Sequence, residues 1–269
     1  MASLFASCDS KDNSWYTVLN EVELNSDLKE ISGLTYYKDG ILLAIQDEDG
    51  DLFFLDEKTG EIVKKEKFGK KGDYEGVTLV GNEVYILRSD GNLYAYHLNS
   101  KETKKIKNTI TKEYEFEGLF YESRTNRLIL TCKNAPKKLQ KKELLFFAYD
   151  LNTNEWIKDP VYKVKKKDIT DLSYGNMDDI KPSGIMQNPI NNEIYVVASQ
   201  GKSILALDEN FRVKYVIHIL MHSIQPEGIC MSSEGFPVIS TEAIDGKPAR
   251  MFTMKLKEDI PQSFFSEED

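Results

Sequence analysis

Cysteine and histidine are scarce in this sequence, which contains only three residues of each type. The cysteines, Cys8, Cys132 and Cys230, form no CxxC motif and no Cys/His spacing of the kind that holds zinc. The sequence therefore gives no support to a zinc site. Cys132 and Cys230 lie in apolar, strand-like runs, which predicts that they are small buried hydrophobic residues rather than reactive thiols.

Positive charge is also in deficit, since 35 Lys and Arg residues face 44 Asp and Glu residues and give a net charge of −9. Nucleic acids are polyanions, so we do not expect DNA or RNA as a partner. Lysine-rich runs such as KVKKK from Lys163 still recur between apolar stretches. We interpret them as solvated outer strands. A second interpretation is peripheral contact with anionic lipid headgroups, because no apolar segment is long enough to span a membrane.

What the sequence does contain is an internal repeat, in which an acidic residue or serine precedes a glycine and an apolar residue follows it. The five copies are EISGLTY from Glu30, DYEGVTL from Asp73, FEGLFY from Phe116, KPSGIMQ from Lys181 and QPEGICM from Gln225. The repeat glycines are 43, 42, 66 and 44 residues apart. Four-stranded propeller blades need roughly 40–50 residues. The repeat therefore predicts an all-β fold, a β-propeller of about five four-stranded blades.

Short strands and tight turns are legible within each copy. In the second copy, apolar segments 77–80, 83–88 and 92–98 are separated by Gly81-Asn82 and Asp90-Gly91 turns. The long third interval predicts a longer hairpin plus a loop, with a sixth blade as the alternative. The segment from Trp15 predicts an N-terminal outer strand that completes the last blade and closes the ring. We expect one monomeric propeller domain over residues 12–269.

The polar and charged residues that could bind a ligand or take part in catalysis are expected at one end, or mouth, of the central channel. In a propeller, the start of each first strand and the end of each second strand lie at the same end of the channel. The residues just before the repeat glycines are Ser32, Glu75, Glu117, Ser183 and Glu227. The ends of the second strands contribute Asp47, Glu48, Arg88, Lys133, Gln200 and Glu242. We therefore predict that this mouth, with six carboxylates and two cations, is a binding site.

Carboxylates around a narrow channel repel one another, which raises their pKa values unless cations or hydrogen-bond donors compensate them. Hard oxygen ligands suit Ca²⁺, which takes about 6–8 oxygens with flexible geometry. The predicted metal ligands are Glu75, Glu117, Glu227 and Glu242. The predicted ligand-binding residues are Asp47, Glu48, Arg88, Lys133 and Gln200. The alternative interpretation is structural, with Glu75 and Glu117 paired to Arg88 and Lys133.

The first residues, MASLFASCDS, contain a stretch of small residues before Cys8 that is similar to the cleavage box of a bacterial lipoprotein. This predicts a signal remnant and tether over residues 1–11, lipidation of Cys8, and a location in the bacterial cell envelope. The same prediction makes peripheral or lipid-anchored membrane association an expectation.

Several motifs together resemble the SdiA-regulated proteins. They are EISGLTY, LLAIQDEDGDLFFLD, GDYEGV, FEGLFY with LTCKNAP, KPSGI, and QPEGI followed by STEAIDGKPARMF. The resemblance covers nearly the whole chain, and it implies a bacterial envelope β-propeller. Some members of that family are described as phytase-like or linked to calcium handling, and most have no established activity.

The resemblance also assigns family positions to residues of this sequence. The family's Asp-Glu after the first repeat falls on Asp47 and Glu48, its repeated Glu-Gly on Glu75, Glu117 and Glu227, and its late Ser/Thr-Glu on Thr241 and Glu242. Where relatives often carry Lys-Glu in the third copy, this chain has Lys133-Asn134, which removes one potential carboxylate ligand.

Three functions follow as expectations. The first is a non-enzymatic propeller that binds Ca²⁺ or a small ligand at the channel mouth. The second is a metal-dependent hydrolase of the phosphatase, phytase or lactonase type, in which Arg88 and Lys133 hold an anionic substrate. The third is a scaffold whose lysine-rich rims bind protein or membrane.

Overall fold

The computed structural model describes residues 15–110, 113–136, 142–173, 180–221, 224–257 and 260. Cys8 and the expected tether over residues 1–11 lie outside the described residues.

Twenty strands form five four-stranded antiparallel sheets, arranged as the blades of a β-propeller. Strand β1 (Tyr16–Glu23) precedes the first repeat. Blade 1 contains β2 (Ile31–Lys38), β3 (Ile41–Gln46), β4 (Asp51–Asp56) and β5 (Ile62–Lys67). Blade 2 contains β6 (Tyr74–Val80), β7 (Glu83–Arg88), β8 (Leu93–His97) and β9 (Thr103–Ile106).

The remaining blades follow the same order along the chain. Blade 3 contains β10 (Glu115–Glu122), β11 (Arg127–Asn134), β12 (Glu143–Asp150) and β13 (Glu155–Lys165). Blade 4 contains β14 (Lys181–Gln187), β15 (Ile194–Gln200), β16 (Ser203–Leu207) and β17 (Val213–His218). Blade 5 contains β18 (Pro226–Met231), β19 (Pro237–Thr241), β20 (Arg250–Leu256) and β1. The fold predicted from the repeat is confirmed.

The N-terminal strand closes the ring as predicted. Strand β1 pairs with β20, with Tyr16 opposite Leu256 and Glu23 opposite Arg250. The Leu220 N–H donates a hydrogen bond of 3.0 Å to the Tyr16 hydroxyl, which ties β1 to the chain that leaves blade 4. Because β1 covers β20, the strand at the end of the chain presents no unpaired edge to solvent.

Hydrophobic side chains fill the spaces between neighbouring blades in five clusters, one for each junction. The residue after each repeat glycine belongs to a different cluster. These residues are Leu34, Val77, Leu119, Ile185 and Ile229, and all are buried. Burial of apolar surface between blades therefore stabilises the ring.

The five repeat glycines line a small cavity in the channel, in which about 10 Å³ is accessible to water. A Cβ atom on Gly76 would lie 2.6 Å from the Glu117 carbonyl oxygen and 2.9 Å from the Leu119 nitrogen. No side chain fits at this distance, so the close approach of the blades requires glycine here. We call this constriction the waist. It lies between the two ends of the channel and has room for about one water molecule.

The 66-residue interval contains the eleven-residue strand β13 and a seven-residue helix, α1 (Lys166–Leu172). Its described residues add no sixth blade, so the longer hairpin is the correct interpretation. The helix was not expected, and its Ile169 packs into the cluster between blades 3 and 4. The lysine-rich runs from Lys64, Lys101 and Lys163 include parts of β5, β9 and β13, which are outermost strands of their sheets, as the solvated interpretation predicts. A fourth run, KKLQKK from Lys137, lies almost entirely outside the described residues.

Candidate functional site

The residue before each repeat glycine lies in one of two environments. In blades 1 and 4 it is a buried serine whose hydroxyl donates to a carbonyl of the next blade, Ser32 to Tyr74 (2.6 Å) and Ser183 to Pro226 (2.7 Å). In blades 2, 3 and 5 it is a glutamate. The serine copies therefore join neighbouring blades, whereas the glutamate copies bring carboxyl groups to the channel.

We use the name acidic mouth for eight of the charged residues at this end of the channel. They are Glu30, Asp47, Asp73, Glu75, Glu117, Lys133, Glu227 and Glu242. Neighbouring negative charges raise the pKa values of Asp47, Glu75, Glu117, Glu227 and Glu242, and the Lys133 charge lowers those of the last four.

Lys133 is the cation at the centre of this group. Its ammonium pairs with Oε1 of Glu117, whose side chain is almost fully buried. Burial disfavours the charged lysine, but the Glu117 carboxylate opposes burial and the pKa of Lys133 is raised overall. The other oxygen of Glu117, Oε2, is buried and accepts no hydrogen bond from any described residue. The predicted pairing of Glu117 with Lys133 is thus confirmed, and it leaves one carboxylate oxygen unpartnered.

A single amide compensates two carboxylates in blade 5. Nε2 of Gln225 donates to Oε1 of Glu227 (3.0 Å) and to Oε2 of Glu242 (2.8 Å). An amide supplies hydrogen bonds but no positive charge. Among the residues of the acidic mouth, Lys133 alone supplies a positive charge that offsets this pair.

A third pair, Glu30 and Asp47, brings two carboxyl groups together in blade 1. Oε2 of Glu30 and Oδ1 of Asp47 are both buried, and neither accepts a hydrogen bond from a described donor. Burial and the negative charge of Glu30 raise the pKa of Asp47.

Burial is the largest cause of the raised pKa values in the acidic mouth, followed by neighbouring charges. It raises the pKa of Glu117 and Glu242 to about 7 and that of Asp47 to about 6. The pKa values of Glu75 and Glu227 are also raised strongly. Near neutral pH, Glu117 and Glu242 are therefore partly protonated, and a bound cation would displace those protons.

Three of the predicted ligand-binding residues are not part of this group. Nε of Arg88 donates to Oδ1 of Asp90 (3.0 Å) in its own turn, so the predicted pairing of Arg88 with Glu75 is wrong. Asp90, only two residues away in the same turn, competes for the Arg88 guanidinium with Glu75 on the neighbouring strand. Glu48 and Gln200 lie at the ends of β3 and β15 with exposed side chains, and their roles as ligands stay predictions.

Sequence reasoning missed a second repeated position, three residues before each glycine. Its residues are Glu30, Asp73, Glu115, Lys181 and Gln225. In four blades this side chain interacts with the residue near the end of the second strand: Glu30 with Asp47, Asp73 with Ser89, Glu115 with Asn134, and Gln225 with Glu242. The signal was available, because residues two apart on a strand point to the same face.

Calcium is the ion that the family resemblance and the carboxylate chemistry imply. Among the described residues, no three His, Cys, Asp or Glu side chains converge closely enough to hold one metal ion. The oxygens of the acidic mouth are the right donors for Ca²⁺ but are distributed around the channel. They fit Ca²⁺ only after side-chain movement.

Comparison with known families settles the family of the chain. A family model described as SdiA-regulated matches residues 11–243. The chain belongs to the SdiA-regulated family. The resemblance carried by the repeat motifs is thereby confirmed. No curated protein matches this SdiA-regulated chain in sequence.

Solved structures share the fold of this SdiA-regulated protein at low identity. A glutaminyl cyclase from Myxococcus xanthus matches with a TM-score of 0.60 and 16% identity, covering 90% of this chain and 96% of that chain. A PQQ-bound aldose sugar dehydrogenase from Streptomyces coelicolor matches with a TM-score of 0.57 and 12% identity, over 90% and 98% of the two chains. A streptogramin B lyase matches with a TM-score of 0.53 and 12% identity, covering 91% of this chain and 99% of that chain. These similarities show the fold alone.

No helix within the described part of the chain is both long and apolar enough to cross a membrane.

Proposed function

We propose that the acidic mouth binds a small cationic ligand, either Ca²⁺ or an organic cation. The observation that carries this proposal is the imbalance of charge in the acidic mouth, where seven carboxyls, two of them almost fully buried (Glu117 and Glu227), accompany the single cation Lys133. Oε2 of Glu117 and Oδ1 of Asp47 are buried and accept no hydrogen bond from a described donor. A buried carboxylate without a partner is costly. A bound cation would relieve that cost by lowering the pKa values that burial has raised.

The two kinds of cation make different demands on the site. Ca²⁺ needs several oxygens around one point, so Glu117, Glu227 and Glu242 would have to move toward a common centre. A ligand with two positive groups can pair with carboxylates that stay apart. The spread of the carboxyls therefore favours an organic diammonium compound over Ca²⁺ in the conformation described here.

The proposal is tested by thermal unfolding of chelator-treated protein at pH 8, with and without millimolar CaCl₂ or putrescine. A ligand that binds only the folded state at about 100 times its Kd stabilises it by about 2.7 kcal/mol. We expect a rise in Tm of several degrees with at least one cation and loss of most of that rise in Glu227→Gln. Glu209→Gln, a change at an exposed glutamate outside the mouth, is the matched control.

Two results would contradict the proposal. One is an unchanged Tm with both cations at pH 8. The other is an equal rise in wild-type protein and Glu227→Gln, because binding would then lie elsewhere. A rise with putrescine alone would assign the site to organic cations, and a rise with CaCl₂ alone would assign it to the metal.

The hydrolase and scaffold hypotheses receive less support. The hydrolase hypothesis relied on Arg88 and Lys133 to hold an anionic substrate, but both side chains pair with carboxylates of this chain. The scaffold hypothesis relied on the lysine-rich runs. On β5, lysines pair with acidic side chains or lie over aromatic rings, such as Lys64 with Glu66 and Phe54, which is the behaviour of a solvated outer strand.

A further inference from the structure

The channel opens at its other end, beyond the waist, into a cavity of about 770 Å³ that we call the far cavity. Its wall is formed by the residues that follow the repeat glycines on β2, β6, β10, β14 and β18, and by turns after three of these strands. Binding sites for small molecules are concave and have volumes of about 300–1,000 Å³. The far cavity is therefore large enough for a ligand of ordinary size.

The lining of the far cavity is depleted of charge. Only Glu234 among its described lining residues is charged, and its carboxylate pairs with the Lys58 ammonium at 3.0 Å. Charged residues make up 29% of the whole chain. Tyr36, Phe120 and Tyr121 contribute aromatic surface instead. A charged ligand would lose its hydration in this cavity without meeting an unpaired opposite charge, so the lining favours an uncharged one.

Hydrogen-bonding capacity is nevertheless present. The strands β2, β6, β10, β14 and β18 are first in their sheets and pair on one side only. The free edge of a strand carries unpaired backbone N–H and C=O groups. Thr35, Thr78 and Gln187 add side-chain donors and acceptors to the wall. A mainly apolar molecule with a few polar groups would find partners for both parts.

From these observations we propose that the far cavity is a second binding site, which takes an uncharged, largely apolar small molecule and is independent of the acidic mouth. The two sites share no residue, since no lining residue of the far cavity belongs to the acidic mouth, and the glycines of the waist lie between them. This site does not depend on cation binding at the other end of the channel.

The test is a fluorescence titration with two dyes that differ by one charge, N-phenyl-1-naphthylamine and its sulfonate analogue 8-anilino-1-naphthalenesulfonate. Ile190, at the rim, is 73% exposed, so Ile190→Arg places a charge beside the cavity without disturbing the core. Thr35→Trp fills part of the cavity from its wall. Leu220→Arg is the matched control, since Leu220 is 57% exposed and lies outside the lining.

We expect saturable binding of one uncharged dye per chain, about tenfold weaker binding of the sulfonate, and about tenfold weaker binding of the uncharged dye to Ile190→Arg and Thr35→Trp. Leu220→Arg and Glu227→Gln should bind it as the wild type does. Absence of saturable binding, or equal binding by all variants, would overturn the site. Equal affinity for the two dyes would overturn the uncharged class of ligand, and loss of dye binding in Glu227→Gln would overturn its independence.

Discussion

The two ends of the central channel are built from the same five strands but differ in chemistry. At the acidic mouth, blades 2, 3 and 5 present Glu75, Glu117 and Glu227 before the repeat glycine. At the far cavity, the positions that follow the glycine are apolar or uncharged, and the single charged lining residue is already paired. Along each first strand, the residue before the repeat glycine thus lies toward the acidic mouth, and the uncharged residues after it line the far cavity.

The difference teaches how to distinguish packing from function within a repeat. The position after the glycine is aliphatic in all five copies, because every junction between blades needs a buried side chain there. The position before it varies between serine and glutamate, and only the serines, Ser32 and Ser183, make hydrogen bonds to the backbone of the next blade. Variation among copies therefore marks the position that is available for binding.

The largest effect is expected at the waist, which lies between the two ends of the channel. Gly76→Ala would place a Cβ atom 2.6 Å from the Glu117 carbonyl oxygen, and we expect a loss of unfolding free energy of about 3 kcal/mol. Gly81→Ala is the control, because Gly81 has a positive φ of 60° but no atom within 4 Å. It should cost about 1 kcal/mol. Equal losses in urea unfolding would show that crowding at the waist is unimportant.

An intermediate effect is expected from removing the cation of the acidic mouth. Lys133→Met leaves the buried Glu117 carboxyl without its partner, and we expect a loss of about 2 kcal/mol at pH 8. The loss should be smaller at pH 5.5, where the carboxyl is protonated. Lys167→Met, which removes an exposed pair with Asp171 on α1, is the control and should change little. Equal losses at both pH values would contradict the assignment, and unchanged dye binding would sharpen the contrast between the two ends.

The smallest effect is a dependence of stability on pH that arises only at the acidic mouth. Burial raises the pKa of Glu117 from 4.5 to about 7 in the folded chain, so the folded state holds a proton that the unfolded state loses as the pH rises. Stability therefore falls between about pH 4.5 and 7. Carboxyls with lowered pKa values, such as Asp90, affect stability only at pH values below their ordinary pKa of 3.8.

We expect the Tm of cation-free protein to be several degrees higher at pH 5.5 than at pH 8, since 1 kcal/mol shifts the Tm of a chain of this size by about 2–4 °C. The Glu117→Gln variant should flatten this difference. Affinity for the cation should rise with pH over the same range, whereas affinity for the uncharged dye should not. A Tm that is equal at both pH values would contradict the raised pKa values.

Most of the fold could be predicted from the sequence, because the close approach of the blades requires a glycine in each one and the spacing of these glycines therefore gives the number of blades. The glutamates directly before the repeat glycines could also be predicted as site residues, because they are adjacent to these glycines in the sequence. The sequence analysis did not identify Glu30 and Asp73 as members of the site. They occupy the position three residues before the repeat glycine, which is recognised only when all five copies are compared for residues two apart that point to the same face of the strand. The pairing of Arg88 with Asp90 was missed because a local turn competed with a contact between strands.

Other features could not be predicted because they depend on assembly. The wall of the far cavity combines turn residues from blades 3, 4 and 5, such as Ser123, Ile190 and Ser232, that no spacing in the sequence relates. The helix α1 has only seven residues, which is too short for a periodic pattern to stand out. Its position is set by the burial of Ile169 between two blades.

The separation of the two ends is tested most directly by a paired titration of wild-type protein, Glu227→Gln and Ile190→Arg with putrescine or CaCl₂ and with N-phenyl-1-naphthylamine. We predict that Glu227→Gln weakens binding of the cation and leaves binding of the dye unchanged, and that Ile190→Arg does the reverse. If either variant weakens both ligands equally, or if neither variant changes binding, the two ends of the channel are not separate sites.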